Sequence, residues 1–229
     1  MGFGQLPFDM AHLLAGGVLL LSFVLLYQRR VTALIGALAA QGAVLAMAVA
    51  WQGWVLDVPA LYVTALAALL AKAVAIPLGL RLLVRRFGLR RAVETAIGIG
   101  PGMIMGVGLV ALAILVVLPA TQGAGALVRE GLAFAMSVML LGMLMMITRR
   151  HAIGQVVGLL SLENGLVLAA AGARGLPLVV ELATAALVVA LAAVAGFFTL
   201  RLRDDFAGLD LGLLHHHRGE SAPPGEGPP

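Results

Sequence analysis

The chain is predicted to be all-α and polytopic, with seven transmembrane helices, its N-terminus outside and its C-terminus cytoplasmic. Three observations predict this. Apolar residues make up 62% of the 229 residues and charged residues only 11%, whereas about a quarter of a soluble domain is charged. The apolar residues gather into runs of membrane length, since about 20 helical residues cross a hydrocarbon layer about 30 Å thick. The arginines cluster in alternate connections between those runs, as the positive-inside rule requires.

The opening, MGFGQLPFD, has no basic n-region, so a cleaved signal peptide is not expected. The first span is expected from about Met10 to Tyr27, and the second from about Val31 to Ala50, closing at Trp51 and Trp54, where indoles suit the interface. The third, from about Ala60 to Leu83, holds Lys72 and Pro77. An arginine-rich connection, RRFGLRRAVET, then leads to Gly100-Pro101-Gly102. One helix from Ala92 to Leu118 would be roughly 40 Å long, too long without strong tilt. The reading therefore breaks the run at Pro101, with Phe87 to Ile99 as a short surface helix and Met103 to Leu118 as the fourth span.

Spans five, six and seven are expected at about 131–147, 151–171 and 176–200, which completes a membrane domain over residues 1–203. With this count Arg29, Arg30, Arg81, Arg85, Arg86, Arg90, Arg91, Arg149, Arg150, Arg201, Arg203 and Arg218 fall on one side. Only Arg129 and Arg174 fall on the other, and that asymmetry sets the orientation. Residues 204–229 form a cytoplasmic tail rich in charge, Pro and Gly, expected to be disordered toward its end. Phe206, Leu209, Leu211 and Leu213 are apolar positions suited to docking on a cytoplasmic partner, and His215 to His217 read as a polar run, because three consecutive side chains diverge and no second ligand cluster exists.

Composition also excludes functions. Without cysteine there is no disulfide, no thiolate metal site, no iron–sulfur ligation and no Cys nucleophile, so redox chemistry is expected on partner chains. The net charge of +4 resides in arginines at helix ends, which is topology and not a nucleic-acid surface. Lipid is the expected surrounding.

An internal echo links LLYQRRVTALIGALAAQGAVLAMA, from Leu25, with MMITRRHAIGQVVGLLSLENGLVLAA, from Met145. Each has a paired arginine between two spans and a polar residue 11 to 14 positions later, which predicts two three-helix units joined through span four. Small residues such as Gly102 and Gly106 would let helices approach closely.

Glu163 is the residue that most needs explaining. Counted from Arg150, it lies roughly 20 Å along its helix, near the centre of the hydrocarbon. An acid there costs about 2.5 to 3.5 kcal/mol on insertion scales, so an ion or proton path is the default reading. Lys72 lies roughly 13 Å in from the same side, within reach of an ion pair if spans three and six are neighbours. Pro77 removes the helical donor for a carbonyl near Ala73. Glu181 lies one to two turns in from the outer end of span seven, and Glu130 at the outer mouth of span five is expected to pair with Arg129. Gln41, Ser137, Gln155, Ser161, Asn164 and Thr184 are placed to carry water between the acids, although Gln41 alone also reads as packing glue. Two readings of Lys72 and Glu163 stand side by side, a proton or cation relay and a static pair that fixes helix packing.

The run from Arg149 through Glu163-Asn164-Gly165 to Pro177-Leu178-Val179-Val180-Glu181, and the following FFTLRLRDDFAGLDLGLLHHHRG, resemble the C-terminal half of the hydrogenase-4 component E family. The first half is similar as well, with Lys72 ahead of Ala75-Ile76-Pro77-Leu78, so the resemblance reaches about Gly219. The C-terminal half is more distantly similar to the three-span K subunit of respiratory complex I. The resemblance implies a membrane subunit of a complex I-like, energy-converting hydrogenase in the inner (cytoplasmic) membrane, helping to couple redox chemistry to proton or sodium translocation. It implies ion-translocating roles for Lys72, Glu163 and Glu181, with no catalytic residue and no redox centre in this chain. It implies partners as well: other membrane-arm subunits, antiporter-like ones among them, and peripheral hydrogenase-like and iron–sulfur subunits carrying a nickel–iron centre and the clusters. Relative to the complex I subunit, the span-six acid is displaced by about one turn and the span-seven acid lies nearer the outer surface. The alternatives are a stand-alone secondary transporter and a purely structural membrane-arm subunit.

Overall fold

In the computed structural model, which describes residues 6–86 and 96–172, every secondary-structure element is a helix. Six helices follow one another: α1 (Leu6–Tyr27), α2 (Val31–Leu56), α3 (Ala60–Arg86), α4 (Ile99–Ala120), α5 (Ala126–Thr148) and α6 (Ala152–Gly172). All six are long and apolar enough to cross a membrane, which is compatible with a multi-pass membrane protein. Five predicted spans lie wholly inside these helices, and the sixth is offset by one residue. The predicted seventh span with Glu181, the tail and residues 87–95 of the predicted surface helix lie outside the described residues.

Three departures have local causes. The break at Pro101 is absent: α4 begins at Ile99 and runs through the proline, which occupies the first turn, where the missing N–H has no helical acceptor to serve. Residues 96–98 are not helical, and the Ala96 amide donates to Thr148 O at 2.7 Å. The second helix continues past its tryptophans to Leu56 and stops where Asp57 turns left-handed at φ 54°, a C-cap conformation that short polar side chains tolerate, with Pro59 just beyond. Trp51 is therefore inside α2, and its Nε1–H donates to Pro7 O at 2.9 Å, tying α2 to the start of α1.

In α3, the proline predicted to free a carbonyl has a larger effect. The seven residues Leu69–Ala75 form a π-helical segment, and the Ile76 amide donates to Ala71 O, five residues back. Pro77 cannot donate to Ala73, so the wider turn immediately before it re-registers the backbone bonds without ending the helix. Lys72 sits within this segment.

The helices pack as neighbours in sequence, α1 on α2, α2 on α3, α4 on α5 and α5 on α6, with α1 also against α5 and α2 against α6. The α5–α6 seam is the closest, and glycine makes it so. A Cβ on Gly142 would lie 2.5 Å from Leu162 N, one on Gly158 2.8 Å from Met146 Cγ, and one on Gly165 2.7 Å from Met139 Cγ. Backbones in direct contact are how helices associate where lipid removes the hydrophobic drive. Of the two glycines singled out above, Gly106 packs tightly, with Phe23 and Leu141 3.0 Å from its would-be Cβ, while Gly102 meets nothing within 4 Å.

Buried side chains form two apolar layers. One holds Leu25, Leu34, Ile35, Leu38, Leu80, Leu141, Met145, Val157 and Leu160. The other holds Ala15, Val18, Leu45, Val49, Leu61, Ala65, Ala135, Val138, Val167 and Leu168. Along α1, α2, α3 and α6, buried polar side chains lie between these layers. Ile104, Leu115 and Ile147 point outward, more than 70% exposed, which suits a lipid-facing surface and not water.

Candidate functional site

The polar layer draws Ser22 from α1, Gln41 from α2, Lys72 from α3, and Ser161, Glu163 and Asn164 from α6. All six are buried, Lys72 at 4% and Glu163 at 5% exposure. Both α3 and α6 pack on α2, and Gly42 of α2 makes the approach to α3 close enough: a Cβ there would lie 2.8 Å from the Lys72 carbonyl carbon. With the π segment set against this glycine, the lysine side chain reaches α6.

Lys72 Nζ lies 3.3 Å from Glu163 Oε1 and donates to Asn164 Oδ1 at 3.1 Å. Asn164 Nδ2 donates to Gln41 Oε1 at 3.0 Å. Gln41 Nε2 donates to Ser22 Oγ at 2.8 Å and Ser161 Oγ at 3.1 Å, and Ser22 Oγ donates to Val18 O at 3.1 Å. One chain of bonds thus runs from the amine through two amides to a serine on a fourth helix. Among the described residues, neither Glu163 oxygen accepts a hydrogen bond of good geometry, so the carboxylate is held by charge more than by donors.

The structure therefore brings together Lys72, Glu163, Asn164, Gln41 and Ser161, and adds Ser22, which sequence reading missed. A lone serine in an apolar run carries no signal of its own, because only helix packing reveals what it faces. Glu181 and Thr184 lie outside the described residues. Gln155 Nε2 donates to Arg149 O at 3.2 Å, and Ser137 Oγ donates to Ala133 O within its own helix.

Glu130 is away from this cluster. The expected pair with Arg129 is not formed: Arg129 Nη2 donates to Leu118 O at 3.2 Å, and Glu130 Oε2 meets His12 Nε2 of α1. His12 and Glu130 border a cavity of about 280 Å³ between α1, α4 and α5, with Ser137 on its wall. Among the described residues, no group of three or more His, Asp or Glu side chains is placed to hold a metal ion.

Arg149, read above as one of the loop arginines, is 2% exposed. Its Nη2 donates to Leu25 O at 2.9 Å and Leu26 O at 3.0 Å, closing the carbonyl end of α1, while its stem lies over Gly154. Burial lowers its pKa from that of a free guanidinium.

No family model and no solved structure matches the chain. It is 30% identical over 209 residues to the uncharacterized protein Rv0085 of Mycobacterium tuberculosis (strain ATCC 25618 / H37Rv), an alignment covering 89% of this chain and 94% of that protein. Likeness at that level across nearly the whole of both chains places the protein in the same family as mycobacterial Rv0085.

Proposed function

We propose that the chain is a membrane subunit of a complex I-like, hydrogenase-4-type multisubunit oxidoreductase, helping to couple redox chemistry on partner subunits to proton or sodium translocation. In this reading it crosses the inner (cytoplasmic) membrane seven times with its N-terminus outside. Antiporter-like subunits flank it, and the nickel–iron and iron–sulfur centres belong to peripheral chains. The sequence resemblance supports the assembly. The observation that carries the ion-coupling role is the Lys72–Glu163 pair, 3.3 Å apart and nearly excluded from solvent within helices of membrane length.

Magnitudes favour a relay over a static pair. Two opposite charges at this separation attract by roughly 5 kcal/mol at an effective dielectric constant of about 20. Desolvation costs several kcal/mol for each ion, so the attraction offsets the burial of both only in part. A charged pair held in a low-dielectric interior responds to a charge arriving or leaving nearby, which is what coupling to ion movement requires. A packing device gains nothing from ions that an apolar contact would not supply.

Glu163→Gln keeps shape and removes the exchangeable charge. In inverted membrane vesicles energised through the native complex, this variant is expected to assemble normally and lose redox-driven ion transport. Transport at the wild-type rate would remove Glu163 from the path. Purification of the intact assembly tests the partner assignment, since a redox arm brings cysteine-rich chains with it and a stand-alone transporter is active by itself.

A further inference from the structure

The bond chain of the polar layer has a direction. Ser22 Oγ gives its hydrogen to Val18 O, so it accepts from Gln41. Gln41 Nε2 directs its hydrogens at Ser22 Oγ, Ser161 Oγ and, at 3.4 Å, Val18 O, which leaves its oxygen to accept from Asn164 Nδ2. Asn164 in turn presents only its oxygen to Lys72. The orientation of both amides is thereby set at the two ends, by the Val18 carbonyl, which can only accept, and by the Lys72 ammonium, which can only donate, and the amine meets an acceptor that no rotation reverses without breaking several buried bonds.

Two consequences follow for Lys72. Its Nζ is held between Asn164 Oδ1 at 3.1 Å and Glu163 Oε1 at 3.3 Å, adjacent residues on one turn of α6. A primary amide is not a proton carrier under ordinary conditions, so of these two contacts only the carboxylate can exchange a proton with the amine. We infer that Asn164, oriented by Gln41, is a positioning residue that holds the Lys72 amine on Glu163 and seals the α1–α2 side of the pair against proton exchange. This assigns the two amides a role other than water carriage. It rests on the relay reading of Lys72 and Glu163.

The test compares side chains of one shape. Asn164→Thr keeps an acceptor oxygen for Lys72, whereas Asn164→Val matches it in volume and lacks the oxygen. In vesicles carrying the intact complex, Asn164→Val is expected to slow redox-driven ion transport by up to about a hundredfold relative to Asn164→Thr, the loss that a misplacement of about 1 Å can cause. Gln41→Leu, one bond further from the amine, is expected to cost less coupling than Asn164→Val. It is nonetheless expected to cost the most thermal stability, because Gln41 bonds to two other helices. Packing alone predicts the opposite, with loss of coupling following loss of stability across the three variants. That pattern, or equal coupling in the Thr and Val variants, overturns the assignment. If Asn164→Val does not assemble, Gln41→Leu decides on the same two readouts: wild-type coupling despite the lost bonds overturns it, and reduced coupling per assembled complex supports it. Should Glu163→Gln transport normally, the relay reading itself fails; should Glu163→Gln be inactive while these variants couple normally, only the positioning role is lost.

Discussion

At the scale of single residues, cost and geometry decide what Lys72 and Glu163 do. Each is expensive to bury, and each sits where the other makes burial tolerable. Lys72→Met should therefore be worse than the loss of one contact, since it strands a carboxylate that has no other partner of good geometry among the described residues. The expected loss is roughly 3–5 kcal/mol. Lys72→Met with Glu163→Gln should recover most of it, because the stranded charge is then gone. Thermal unfolding of the four proteins in lipid nanodiscs measures the coupling, and additive effects would mean that the two groups do not share a site. Arg149 makes a related point. Its sequence context, a paired arginine between two spans, is the ordinary mark of topology, yet its guanidinium closes the last turn of α1.

Elements contribute through backbone proximity. Glycine allows α5 and α6 to touch along Gly142, Gly158 and Gly165, and allows α2 to touch the π segment at Gly42. The first seam places Ser161, Glu163 and Asn164 on a rigid pair of helices, and the second places Lys72 opposite them. Gly158→Val introduces atoms where Met146 Cγ and Gly142 O already lie under 3 Å from a would-be Cβ. It should cost about 1–3 kcal/mol by overpacking, read as a lower thermal midpoint. Gly102→Val, where nothing lies within 4 Å, should change stability little and serves as the matched control. Equal effects at the two positions would contradict the seam. The π segment belongs to this scale as well: Pro77 predicted a disturbed carbonyl, and the wider turn that absorbs it sits at the residue carrying the charge.

For the whole molecule, the sequence echo acquires a physical meaning. Gln41 and Ser161, which each follow their paired arginines by the same number of residues, are hydrogen-bonded to one another. The second helix of each repeat thus packs on the other, α2 on α6, with α1 on α5. Orientation is open to direct measurement because the chain has no cysteine. A single cysteine at Gly123, in the α4–α5 connection, should react with an impermeant maleimide on intact cells. One at Arg150, exposed in the α5–α6 connection, should react only after permeabilisation. The reverse pattern would invert the proposed topology.

Membrane-length apolar runs, their number over the described residues, the absence of a cysteine-based centre and the cost of Lys72 and Glu163 in such runs were all legible in the sequence, because each depends on composition and local spacing. Hydropathy has no direction around a helix axis, so it does not say which helices meet. Only packing decided that Gln41 is the hub of the polar layer, that Ser22 belongs to it, that Glu130 turns to His12 and away from Arg129, and that a buried arginine ends α1. The reason is the same in each case: a polar side chain in an apolar bundle takes whichever partner the neighbouring backbone brings within about 3 Å, and helix packing, at glycine seams and a π turn among other contacts, decides which backbone that is.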